Sequence, residues 1–162
     1  IFNPAAPNFP NGCHVVEAEI DPDTGKVTLI KYSIVDDVGV TLNPPLLKGQ
    51  IHGGIAMGMG QALMEDVNYD PKSGQLRSGS FMDYCMPRAD DFCHMEVVSN
   101  NTPTPTNPLG VKGAGEAGTV GSIPAVVNAV VDALSPLGIK HVDIPLTSER
   151  VWRAMRDLRD SE

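Results

Sequence analysis

Two glycine-rich segments of this 162-residue sequence contain the side chains best suited to chemistry. In the later one, residues 112–118 read Lys-Gly-Ala-Gly-Glu-Ala-Gly, so glycines hold Glu116 on a tight turn. A carboxylate fixed in this way can be held in one direction toward a reacting group. An apolar pocket would raise its pKa toward the range of a general base. The alternative is that the Glu116 side chain only caps backbone N–H groups at the start of the following helix.

The earlier segment, residues 49–63, has apolar residues at helical spacing and carries Gln50 and His52 near its start. A glycine inside a helix destabilises it by about 0.5–1 kcal/mol relative to alanine. The interior of this segment contains four of them, at positions 53, 54, 58 and 60. Two explanations are open: the helix packs closely on a sheet, or a cofactor approaches its backbone.

Residues 113–118 also fit Gly-x-Gly-x-x-Gly, the fingerprint of a dinucleotide-binding turn. That fingerprint follows a buried strand, whereas here a loop rich in Pro, Thr and Asn precedes it at residues 100–108. A carboxylate inside the turn would also repel a pyrophosphate. The sequence therefore disfavours a dinucleotide site.

Other candidate groups lack partners at useful spacing. We expect the histidines to be solvated or hydrogen-bonded, the pair Asp36 and Asp37 to be solvated, and the chain to hold no metal ligand set of its own. No serine lies in a Gly-x-Ser-x-Gly turn, and the cysteines form no Cys-x-x-Cys pair, so nucleophilic catalysis has no support. The residues considered are His14, His94, His141, Cys13, Cys85 and Cys93.

Charge and composition limit the partners. With 12 Lys+Arg against 20 Asp+Glu the net charge is −8, which argues against nucleic acid. The three cysteines cannot all pair with one another, which favours a reducing, cytoplasmic compartment. We also expect no membrane span.

Local patterns predict the elements that must position these groups. We predict a β-hairpin from residues 13–20 and 26–35, a helix over 46–65, strands near 75–84 and 94–99, and an extended loop over 100–108. A helix follows, with Ser122 as N-cap and Pro124 just inside, then a short strand at 139–144 and a helix from about Thr147. The irregular alternation of strands and helices predicts an α+β fold, with residues 1–162 as a single domain.

The two glycine-rich segments together resemble one family, the molybdenum-binding large subunit of the xanthine dehydrogenase, aldehyde oxidase and carbon monoxide dehydrogenase group. The chain resembles the C-terminal, molybdopterin-binding part of that subunit. Further motifs fall in the expected order, namely Asp36-Asp37-Val38-Gly39, Phe81-Met82-Asp83-Tyr84 and Asp143-Ile144-Pro145-Leu146.

The resemblance implies roles for particular residues. Glu116 matches the base that assists hydroxylation of an electron-poor carbon by water-derived oxygen. Gln50 matches a glutamine that hydrogen-bonds the cofactor, and Lys112, Gly113, Ala114 and Gly115 match the loop beside the pterin and metal. The metal is held by the pterin dithiolene, so the absence of a ligand set in the sequence is expected.

The resemblance also implies partners. The family's large subunit is several times longer, so the rest of that subunit, together with iron–sulfur and flavin (FAD) domains or chains, would complete the enzyme. The form of the Glu116 motif is similar to that of the bacterial branches, which implies molybdopterin cytosine dinucleotide and an aldehyde, N-heterocycle or carbon-monoxide-like small-molecule substrate. The isolated chain would be inactive. The competing hypothesis is a non-catalytic folded module that contributes only surface to an assembly.

Overall fold

A computed structural model describes residue 3 and residues 6–159 of the chain. The fold is α+β, as the sequence predicts: a three-stranded sheet lies against helices. In chain order the elements are β1 (Asn11–Ile20), β2 (Val27–Asp37), α1 (Pro44–Leu63), β3 (Met95–Ser99), α2 (Ala117–Leu134) and α3 (Ser148–Arg159).

The predicted hairpin is confirmed. Strands β1 and β2 pair antiparallel, and β3 pairs parallel with β2 at the other side, which gives the order β1-β2-β3. The connecting turn is stabilised by Asp21, whose carboxylate accepts the Asp23 N–H and the Thr24 hydroxyl at 2.9 and 2.8 Å. Gly25 takes a φ of 71° there, a region that favours glycine.

Helix α1 confirms the predicted helix but begins two residues earlier than expected. The Asn43 side chain caps it by accepting the Leu46 N–H at 3.2 Å. Pro44 and Pro45 occupy the first turn, where a helix needs no N–H from them.

The hydrophobic core lies between the sheet and the helices. Its fully buried side chains come from β2, α1, α2, the last helix and the segment just before that helix, and they include Tyr32, Ile34, Ile51, Ile55, Met59, Val126, Val130, Leu134, Leu146 and Val151. This core fixes α1 and α2 relative to β2, and thereby fixes the segments that carry the two glycine-rich motifs.

Two of the α1 glycines pack against α2 rather than against the sheet. A Cβ atom built on Gly54 would lie 2.9 Å from the Thr119 nitrogen and 3.0 Å from the Gly118 Cα. A Cβ on Gly58 would collide with the Ser122 hydroxyl. Close packing of the helix is therefore confirmed, but the expected partner, a sheet, was wrong. Gly54 and Gly58 face helix α2 instead.

The predicted strands at 75–84 and 139–144 are wrong. The first region contains turns and a single bridge between Tyr69 and Leu76, because no neighbouring strand extends beside it. In the second, Ile139, Val142 and Leu146 are buried at spacings of three and four, which anchors an extended segment to the core without the period of two that a strand requires. The strand near 94–99, the extended loop and the helix after Thr147 are confirmed.

Helix α2 begins five residues before the predicted N-cap. Ser122 is fully buried inside the helix against α1, and Pro124 is an interior residue that offers no N–H to the Val120 carbonyl. Within the described residues, 117–137 is the one helical stretch long and apolar enough to cross a membrane, which by itself is weak support for a span. The absence of a membrane span stays a prediction.

Candidate functional site

The structure joins the two glycine-rich segments by a direct hydrogen bond. The Gln50 side chain on α1 donates through Nε2 to the Gly115 carbonyl oxygen at 2.7 Å, across 65 positions of sequence. The contact lies on the exposed side of α1. It holds Gly115, in the middle of the second segment, against the start of the first segment.

Glu116 occupies the N-cap position of α2, immediately after that bonded glycine. Its carbonyl oxygen accepts the Val120 N–H at 3.0 Å, but its side chain makes no capping hydrogen bond. Capping, the alternative that the sequence left open, is therefore not what the carboxylate does here. The carboxylate is exposed at the positive end of the helix dipole.

Lys112 is directed away from this turn. Its amine lies 2.6 Å from Asp37 Oδ2, and both side chains are largely buried, at 12% and 13% exposure. The Lys112 amine, together with the backbone N–H groups of Gly39 and Thr102, holds the pKa of Asp37 at about 2 instead of 3.8. The expectation that Asp37 is solvated was wrong.

The glycines of the two segments divide into two groups. Gly54, Gly58 and Gly118 are required by helix packing, because an added Cβ would collide with the facing helix. Gly60 belongs with them, because a Cβ there would collide with the Glu65 and Pro87 side chains. At the remaining positions, 49, 53, 113 and 115, a Cβ would meet nothing within 4 Å, so internal packing gives no reason for glycine there. These four positions leave backbone exposed on α1 and on the Glu116 turn.

A cleft of about 550 Å³ opens beside the Glu116 turn. Gly113, Ala114, Gly115 and Glu116 form one wall, and the other residues are mostly apolar or come from the start of β1, among them Phe9, Pro10, Val120 and Gly121. Of the predicted site residues, Gly113, Ala114, Gly115 and Glu116 line this cleft. Gln50 does not line it and is joined to it through the Gly115 carbonyl, and the Lys112 amine contacts Asp37 instead.

A buried polar group in the same cleft was missed by the sequence analysis. His14 Nδ1 lies 2.5 Å from the Tyr32 hydroxyl, and His14 Nε2 lies 3.8 Å from Asp36 Oδ1. Asp36 is only 3% exposed, and its Oδ2 has no hydrogen-bond partner among the described residues. Burial and the negative charge of Asp36 raise the pKa of Tyr32.

The expected solvation of Asp36 was therefore also wrong. Tyr32, Ile34 and Asp36 follow the period of two along β2, and the first two are buried core residues. Since alternate strand residues share a face, this phase was the signal that places Asp36 inward.

No metal-ligand cluster accompanies the site. Across residue 3 and residues 6–159, no group of three or more His, Cys, Asp or Glu side chains could hold a metal ion. The three cysteines form no disulfide with one another.

Residues 2–93, more than half of the chain, match the family model described as the molybdopterin cofactor-binding domain. The chain belongs to the molybdopterin cofactor-binding domain family. The matched region contains Gln50 and the glycine-rich face of α1, whereas Glu116 lies beyond it.

Individual relatives extend the similarity to the Glu116 turn. The chain is 41% identical over 159 residues to the nicotine 6-hydroxylase large subunit of Paenarthrobacter nicotinovorans, and 36% identical over 156 residues to the carbon monoxide dehydrogenase large chain of Hydrogenophaga pseudoflava. These alignments cover 98% and 96% of the chain, and 19% of each relative.

A solved structure gives the same result for this molybdopterin cofactor-binding domain. Quinoline 2-oxidoreductase from Pseudomonas putida 86 superposes with a TM-score of 0.88 at 38% identity, over 91% of this chain and 19% of that one. The chain thus spans about a fifth of the length of the relatives it matches.

Proposed function

We propose that this chain forms part of the active site of a molybdenum hydroxylase, with Glu116 as the general base. The observation that carries the proposal is the Gln50–Gly115 hydrogen bond. It brings together the two segments that the sequence singled out, and the exposed Glu116 that follows lines the cleft and makes no side-chain capping bond.

The residues at the site fit a large bound cofactor. The glycines at positions 49, 53, 113 and 115 expose backbone, because apart from the adjoining residues and the backbone of the same helix no atom lies within 4 Å of where a Cβ would be. Such positions let a cofactor approach the main chain closely. The domain family and this open backbone both support a molybdenum–pterin cofactor. We propose that it is the cytosine dinucleotide form and that Gln50 and residues 113–115 contact it.

When bound, the molybdenum–pterin cofactor supplies an acceptor for the electron pair that the substrate carbon loses. Glu116 accepts the proton of the water-derived oxygen as that oxygen attacks the carbon. Since the overall oxidation consumes one water and releases two protons and two electrons, a base beside the attacking oxygen is needed. Gln50 uses one N–H for Gly115 and keeps its second N–H and its carbonyl oxygen for the cofactor.

The substrate class that we propose is an aldehyde, an N-heterocycle or a carbon-monoxide-like molecule. Relatives named for carbon monoxide, nicotine and quinoline support this range. Because the chain spans 19% of those relatives, we propose that the rest of a large subunit completes the pocket. Electrons would leave through iron–sulfur and FAD domains, in the cytoplasm, and the isolated chain would be inactive.

The test compares wild type with Glu116→Gln in the complete subunit, at equal molybdenum content. A general base predicts a large loss of the substrate-dependent reduction rate with cofactor retained. The competing proposal, a non-catalytic module, predicts an unchanged rate.

A further inference from the structure

Asp37, the last residue of β2, connects three separate segments. Its Oδ1 accepts the Gly39 N–H at 2.9 Å and the Thr102 N–H at 3.0 Å, and its Oδ2 accepts the Lys112 amine at 2.6 Å. The end of the hairpin, the proline-rich loop and the start of the Glu116 turn therefore meet at one carboxylate.

Backbone hydrogen bonds also connect these segments around the carboxylate. The Lys112 N–H donates to the Val38 carbonyl at 2.9 Å, and the Val40 N–H donates to the Gly110 carbonyl at 3.0 Å. Gly39 has a φ of 69°, and a Cβ there would collide with the Gly110 carbonyl oxygen. The turn is therefore anchored firmly up to Lys112.

Beyond Lys112 the anchoring is sparse. Among the described residues, the backbone of 113–115 makes one hydrogen bond, from Gln50 to the Gly115 carbonyl, before α2 begins. Two of these three residues are glycines in open space, which adopt many backbone conformations. The direction that the turn takes is therefore set by its two ends, at Lys112 and at Gly115.

We propose that Asp37 is a positioning residue, which acts through Lys112 to fix where the Glu116 turn starts and so where the Glu116 carboxylate lies. This reassigns the Lys112 amine from the cofactor to Asp37. The catalytic consequence rests on the proposed role of Glu116. The largely buried, charge-assisted contact is the kind that holds one geometry.

Asp70 provides a matched control. Its carboxylate likewise accepts two backbone N–H groups, from Lys72 and Ser73, and pairs with the Arg77 guanidinium. Its pKa is likewise lowered to about 2. It lies in a different turn, which makes no part of the cleft beside Glu116.

The experiment measures amide hydrogen exchange of residues 111–117, together with kcat, KM and molybdenum content, in the complete subunit. We expect Asp37→Asn to accelerate exchange in this segment and to lower kcat at equal molybdenum content by about tenfold to about a hundredfold, with KM changing less. Asp70→Asn should change neither. Lys112→Met should reproduce the effect, and the double variant should be no slower than the slower single variant.

Unchanged exchange and unchanged kcat in Asp37→Asn would overturn the proposal, as would additive losses in the double variant. If Asp37→Asn does not fold, Lys112→Met decides the same question, because it removes the pair and leaves the backbone contacts of Asp37. The exchange measurement is independent of activity. If Asp37→Asn exchanges faster but Glu116→Gln is fully active, the positioning role of the Asp37–Lys112 pair stands and Glu116 is rejected as the base.

Discussion

The Gln50 side-chain amide and the Gly115 carbonyl oxygen, 2.7 Å apart, join the two segments on which the site depends. One of these partners is a side chain on helix α1, and the other is a main-chain carbonyl in a glycine-rich turn. The bond therefore orients the turn from α1, while Glu116 follows directly as the N-cap residue of α2.

We predict that Gln50→Ala in the complete subunit loosens the turn and weakens cofactor retention. A typical hydrogen bond contributes about 0.5–1.5 kcal/mol, and the loss of the contact with the cofactor adds to this. Molybdenum content and turnover, measured on the same preparation, should both fall. Gln61→Ala, on the same helix but outside the contact, is the control, and equal behaviour of the two variants would reject the role of Gln50.

A second prediction concerns neighbouring glycines of α1 in the 162-residue chain. Gly53→Ala should stabilise the fold by about 0.5–1 kcal/mol, because the new methyl group meets nothing within 4 Å and alanine favours helix. Gly54→Ala should destabilise it by about 1–3 kcal/mol, because the methyl group would press on the α2 backbone. Denaturant unfolding of both variants measures the difference, and the same sign for both would contradict the packing described.

In the complete subunit, the same Gly53→Ala change should be unfavourable for cofactor binding. There its methyl group would occupy space that we assign to the cofactor, so molybdenum content should decrease although the fold is stabilised. Full occupancy would show that the open backbone of α1 at this position does not face the cofactor.

A third prediction follows from the lowered pKa values of Asp37 and Asp70, each about 2 in the folded chain instead of 3.8. Asp37 accepts hydrogen bonds from Lys112, Gly39 and Thr102. Asp70 accepts them from Ser73, Arg77 and Lys72. These bonds lower both pKa values. Because the folded state holds these protons less tightly, the stabilisation is complete above about pH 4 and is lost as the pH falls toward about 2.

We therefore expect the free energy of unfolding to decrease over that acid range, and the variant with both Asp37→Asn and Asp70→Asn to show a shallower decrease. Thermal unfolding at a series of pH values between about 5 and about 2 measures it. An identical slope in the wild type and the double variant would contradict the assignment.

Local signals explain which elements were predictable. The hairpin has a turn with Asp21 and Gly25 between alternating strands, and the last helix has a capping Thr147 whose hydroxyl accepts the Arg150 N–H at 3.3 Å. The start of α2 was not predictable in this way, because Ser122 resembles a cap and is instead buried against Gly58.

The site was predictable only in part, for the same reason. Glycine spacing identified Gln50 and Glu116, but the partner of Lys112 depends on a tertiary contact 75 positions away. The inward position of Asp36 could be inferred from the phase of β2, whereas its approach to His14 depends on the pairing of β1 with β2.

The most direct test of the central claim is the turnover of Glu116→Gln in the complete enzyme. The variant keeps the size and much of the hydrogen bonding of the side chain, so molybdenum content and melting temperature should match the wild type. A general base contributes about 10²- to 10⁴-fold, and we expect the substrate-dependent reduction rate to fall by at least about a hundredfold. Glu149→Gln, an exposed glutamate paired with Arg153 on α3, should retain the full rate. A loaded, folded Glu116→Gln enzyme that reduces nearly as fast as the wild type would contradict the account.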